Sequence, residues 1–194
     1  MTGFAYVAGG TLGMDSTGTP LTTFTDPTCP LGDGQLTGGN GQGCTATAWT
    51  SAGDADAICI TGTIPALTAC PTNCSAADTD FDYTEDWGAQ VGVAAGATAT
   101  ATIGGSYSSI AVTFIGTPGG SVRLQVNVGS TNYCVGNYVS GDVVPASSLV
   151  TDCYTTGGTP LPSLASVNQV VLSIVSAPVT ETFTSFCMTG ISFN

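Results

Sequence analysis

One arginine, no lysine and no histidine supply the positive charge of 194 residues, against thirteen carboxylates and a formal net charge of −12. Each absence excludes a class of chemistry. Without histidine there is no Ser–His–Asp arrangement, and without lysine no Schiff base and no phosphate-gripping ammonium. A surface of this sign repels phosphate backbones and anionic lipid, so nucleic acid is not an expected partner. A carboxylate pair for glycoside hydrolysis could be drawn from Glu85, Asp86 and Glu181. Nothing in the sequence sets their acidities apart, and the chain does not read as an enzyme. The glycine-rich stretch "GDGQLTGGNGQG" follows no apolar strand and opens no helix, so it is a loop and no organic cofactor is expected.

Long hydrophobic runs are missing too, and no segment is apolar enough for long enough to span a membrane. Residues 1–30 lack a charged start followed by an apolar core, which fits a secreted form from which an export signal has been removed. Charged residues make up only 7% of the chain, where about 25% is ordinary. Polarity comes instead from Thr, Ser, Asn, Gln and 27 glycines, while a hydrophobic content of 42% argues against disorder.

What is present is a set of eight cysteines, at positions 29, 44, 59, 70, 74, 134, 153 and 187. Zinc sites ask for Cys-x-x-Cys knuckles or histidine, and Cys70-Pro-Thr-Asn-Cys74 is the nearest approach. The even, scattered set reads as four disulfides rather than a metal–thiolate centre. Disulfides place the protein outside the reducing cytosol: secreted, extracellular or on a cell surface.

Residues 1–45 form a Gly/Thr/Pro-rich arm with short apolar islands at Phe4–Val7 and Leu21–Phe24. An arm of this composition is ordered only by packing on its own domain or on a neighbouring subunit. Residues 46–194 read as an all-β domain. Strands are expected at 57–64, 89–95, 109–116, 121–128, 132–139, 169–176 and 183–193, each rich in β-branched or aromatic residues and bounded by turn formers. "TPGG" (117–120) and "GSTN" (129–132) have hairpin length. "PSLASV" (162–167) is the one stretch suited to a helical turn. Many short strands without a long amphipathic helix point to an antiparallel β-sandwich or jelly roll.

The single arginine lies inside "SVRLQVNV". Val122, Leu124, Val126 and Val128 share one face of that strand, and Arg123, Gln125 and Asn127 the other. A guanidinium and two amides in a row can pair with sugar hydroxyls beside an aromatic platform, for which Trp87, Tyr133 and Tyr138 are available. The competing reading pairs Arg123 with Glu85 or Asp86 and gives it a purely structural task. In "DTDFDYTEDWG", Asp78, Asp80 and Asp82 alternate as calcium ligands do, with Asp86 nearby. Tyr83 and Ala89 stand where an EF-hand needs glycine and glutamate, so the loop is either a non-EF-hand structural calcium site or a solvated acidic loop.

The motifs "CITGT" (59–63), "DWGAQVGV" (86–93), "SSIAVTFIG" (108–116), "VRLQV" (122–126), "NYCVG" (132–136), "VPASSLVTDCY" (144–154) and "FCMTGISF" (186–193) resemble the galactose-binding-like, carbohydrate-binding-module jelly rolls of secreted bacterial proteins. The resemblance covers residues 57–193. It implies neighbouring first and last strands and hence a Cys59–Cys187 bridge, and likewise Cys134–Cys153. Cys29–Cys44 and Cys70–Cys74 then remain as local closures. It also implies that the Arg123 face lines a concave sheet.

Two functions follow as expectations. The first is a non-catalytic structural subunit of an extracellular filament, sheath or surface assembly, self-associating through Phe4 and Tyr6 of the arm. The alternative is a secreted module that binds polysaccharide at the face around Arg123.

Overall fold

The computed structural model describes residues 3–9, 23–24, 35–36, 43–44, 58–64, 66, 88–95, 102–103, 105–153 and 157–194, with the backbone alone for 3–9, 23–24, 35–36, 43–44 and 58–61. The strands are β1 (Gly3–Gly9), β2 (Thr23–Phe24), β3 (Gln35–Leu36), β4 (Gly43–Cys44), β5 (Ile58–Ile64) and β6 (Gly88–Ala95). They continue as β7 (Ser109–Thr117), β8 (Val122–Val128), β9 (Thr131–Val135), β10 (Val144–Pro145), β11 (Gln169–Val175) and β12 (Glu181–Phe193). The expected helical turn is a short 3-10 segment, Leu164–Ser166, whose entry is capped by the Ser163 hydroxyl accepting from Ala165 N.

Among the described residues all pairings are antiparallel, in two sheets ordered β3-β4-β1-β6-β11-β8-β9 and β10-β7-β12-β5-β2. The strands from β5 onward pair in a nested way: β5 with β12, β6 with β11, β7 with β10, and β8 with β9. The sheets face each other across one core. Val91, Leu124, Leu172 and Ile174 come from the first sheet, and Ile110, Val112, Phe183, Phe186 and Met188 from the second, all fully buried. Period-2 alternation in β8 puts Val122, Leu124 and Val126 into this core and leaves Arg123, Gln125 and Asn127 half-buried on the other side.

Two details differ from the sequence reading, and "GSTN" agrees with it. "TPGG" does not close a hairpin: β7 and β8 belong to different sheets, so the segment crosses the sandwich. "GSTN" does close one, with Gly129 at φ 60 in the two-residue link between β8 and β9. The strand expected over 132–139 stops at Val135, because Asn137 takes φ 51 and turns the chain away. Within the arm, β1 takes one of the two placements expected, on its own chain: it runs beside β6 through seven registered pairs, Gly3↔Ala95 to Gly9↔Ala89.

The Cys134–Cys153 disulfide is present, with a Cα–Cα distance of 5.4 Å. Cys153 lies in a turn. Cys187 is also disulfide-bonded, and the β12–β5 register sets it opposite Cys59. Cys29, Cys70 and Cys74 lie outside the described residues.

Candidate functional site

The outer face of the seven-stranded sheet carries the sequence-predicted polar row. Each of its residues has a defined cross-strand neighbour, which the sequence alone does not provide. Arg123 stands opposite Ser173, and Ser173 opposite Gln90. Gln125 stands opposite Val171 on one side and Cys134 on the other. Asn127 stands between Gln169 and Asn132. The register continues onto the arm strand, setting Tyr6 opposite Gly92 and Phe4 opposite Ala94.

The amides are bonded to one another. Gln125 Nε2 donates to Asn127 Oδ1 at 3.0 Å, and Asn127 Nδ2 donates in turn to Gln169 Oε1. Such a relay fixes the side-chain rotamers and uses part of each amide's hydrogen-bonding capacity before a ligand arrives. Arg123 is likewise engaged by its surroundings. Between these strands Val171 is 0% and Ser173 4% exposed, so the middle of the face is covered. Gln169, Ser173 and Gln90 were not singled out from sequence. The alternation of "QVVLSIV" could have placed Gln169 and Ser173 on one face, but not beside β8.

Among the described residues, neither tyrosine expected in the aromatic platform stands beside Arg123. Tyr133 pairs with Val126, a core position, and its half-buried ring packs against the core from the face opposite Arg123. Tyr138 is 5% exposed and stands in the core beside Phe114, ring centroids 6.3 Å apart. Its hydroxyl accepts from Val112 N at 2.7 Å and lies 2.8 Å from Val112 O and 3.0 Å from Asp142 O, both acceptors. Burial pushes the Tyr138 phenol above its ordinary value, with the Asp142 charge adding to the shift and the Val112 backbone bond opposing it. Neither ring can serve as a sugar platform for the Arg123 row. Trp87 and the acidic positions Asp78, Asp80, Asp82 and Asp86 lie outside the described residues.

Among the described residues no three metal-ligating side chains stand together. What the polar row offers is hydrogen bonding by amide and guanidinium groups on a rigid sheet. No family model matches the chain, and no curated protein matches it.

Proposed function

We propose that this chain is a non-catalytic structural protein of the cell exterior, a self-associating subunit of a filament, sheath or surface assembly. The observation that carries this reading is the β1–β6 ladder. β1, from the arm, contributes seven registered pairs to β6, whereas the other strands that precede β5, namely β2, β3 and β4, are two residues each. A strand contributed by the arm makes the same bonds whether it comes from its own chain or from a neighbour, which is the basis of strand exchange between copies. Phe4 and Tyr6 are the large side chains on it that would anchor the exchange. The nested strand pairing supports the jelly-roll comparison, and the disulfides suit an oxidising exterior.

The test is imaging and light scattering of the intact chain, of a chain lacking residues 1–9, and of the Phe4→Ser/Tyr6→Ser variant. Assembly of the intact chain alone, with folded monomers in the other two, supports the reading. A truncated chain that still polymerises, or an intact chain that stays monomeric at all concentrations, rejects it.

Polysaccharide binding is a second reading, favoured by one observation: Arg123, Gln125, Asn127 and Gln169 share one half-buried face. Retention on insoluble polysaccharide that is lost in Arg123→Ala and Gln169→Ala, with unchanged melting, would establish it.

A further inference from the structure

Open strand edges invite other strands, and the sandwich formed by β5 to β12 has four of them. Two lie together where β5 approaches β6 and β1. Both are supplied with strands from residues 1–45: β1 on β6, and β2 on β5.

The other two edges are closed by the domain itself, each by a different device. β7 meets β10 only at Ser109 and Ile110. Beyond them the loop 136–143 takes over. The Tyr138 hydroxyl bonds both N and O of Val112, at 2.7 and 2.8 Å, and Gly141 N donates to the same carbonyl at 3.0 Å. Two residues on, the Ser140 hydroxyl accepts from Phe114 N at 2.8 Å and donates to Phe114 O at 2.7 Å. Val112 and Phe114 are the alternate residues that an added strand would engage. Each hydroxyl therefore takes the place of one peptide group of a missing strand.

At β9 the backbone of Cys134 exchanges bonds with Val150, at 2.8 and 3.1 Å, and the Cys134–Cys153 bridge clamps the same turn. Val150 is bridged in turn to Pro160, which has no N–H to offer a further strand. Gly158 lets these segments close up, since a Cβ there would stand 1.6 Å from Thr151 O.

We infer that Tyr138 and Ser140 are a hydroxyl lock on the β7 edge, which denies that edge to a second copy of this chain and confines strand exchange to the β5/β6 side. The confinement rests on the self-association proposed above, whereas the lock is testable without it. One-sided exchange makes donor strand and acceptor edge different surfaces of the subunit, and lateral addition through β7 is shut off.

The experiment compares the full chain with Ser140→Ala, Tyr138→Phe and the double variant, by amide hydrogen exchange and light scattering. Ser140 is exposed, so its variant leaves the core intact even if Tyr138→Phe folds poorly. Exchange at the Phe114 amide should rise about tenfold in Ser140→Ala, the effect of losing one hydrogen bond, with Leu124 and Leu172 unchanged. The double variant placed in the Phe4→Ser/Tyr6→Ser background should gain association that this background otherwise lacks. Wild-type exchange at Phe114, or no gain of association, overturns the lock. Gain of association by the double variant from a wild type that never assembles supports the lock while rejecting the self-association reading.

Discussion

Cys187 on β12 stands directly opposite Cys59 on β5, and this register joins the last strand of the sandwich to its first. Cys187 is already in a disulfide. We predict that Cys59 is its partner, and that the bridge closes nearly the whole domain into one loop. Non-reducing peptide mapping should recover the 59–187 pair, and the Cys59→Ser/Cys187→Ser double variant should lose about 2–5 kcal/mol in a denaturant titration. Recovery of Cys187 linked to Cys29 or Cys70 refutes the pairing.

The two faces of β8 should differ sharply in energetic weight. Leu124 is fully buried, and Leu124→Ala should cost about 2–5 kcal/mol through lost burial and a residual cavity. Gln125→Ala removes one amide from the Gln125–Asn127–Gln169 relay and should cost about 1 kcal/mol. Urea melts of the two variants decide the matter. Equal losses would mean that the polar face is a second core.

The contrast between those faces was legible in the sequence, because a strand's period of two needs no knowledge of its neighbours. The same holds for the seven strands expected between residues 57 and 193, whose β-branched runs coincide with β5–β9, β11 and β12. Tyr133 and Tyr138 show where local reading stops. Sequence alone leaves Tyr133 available to the Arg123 face, yet the two-residue link at Gly129–Ser130 sets it opposite Val126. Tyr138 lies past Asn137, whose φ of 51 breaks the period, so no count along the strand could place it. "TPGG" has the right residues for a turn, but turn chemistry does not say which sheet the next strand joins. The apolar island Phe4–Val7 marks β1 in the sequence, but nothing local says that its seven pairs are made with residues 89–95 of the same chain.

Glycine is required at one bend and merely convenient at another. Gly116 has φ 91, and a Cβ there would stand 1.9 Å from Ser185 O, where β12 bulges against β7. Gly116→Ala should therefore cost about 1–3 kcal/mol or more. Gly129 has φ 60 with nothing within 4 Å of its Cβ position. Gly129→Asn should be nearly neutral, since Asn tolerates that conformation. Thermal melts in which both substitutions behave alike would rule out the steric account of Gly116.

Calcium binding by the loop at Asp78, Asp80, Asp82 and Asp86 remains a proposal from sequence. If the loop holds calcium, millimolar calcium should raise the melting temperature and a chelator should lower it. The Asp80→Asn/Asp82→Asn variant should lose that response. Identical melts of the wild type in calcium and in chelator would leave an acidic loop without a metal.

The last expectation concerns alkali. Desolvation raises the Tyr138 phenol above its ordinary value, so the folded chain holds that proton more tightly than the unfolded chain does. The sign follows from linkage. The contribution is complete below the unfolded value near 10 and is lost as pH rises through the higher folded value. Ionisation would remove the proton donated towards Val112 O and Asp142 O, and would leave a buried charge facing the Asp142 carboxylate. Tyr138→Phe has no such proton. It should be less stable than the wild type at pH 8, and the gap should narrow above about pH 10. The chain's other tyrosines are common to both proteins and cancel in the comparison. Paired denaturant titrations from pH 8 to 11 measure the gap directly, and a gap that stays constant across that range would show that the Tyr138 proton does not contribute to stability.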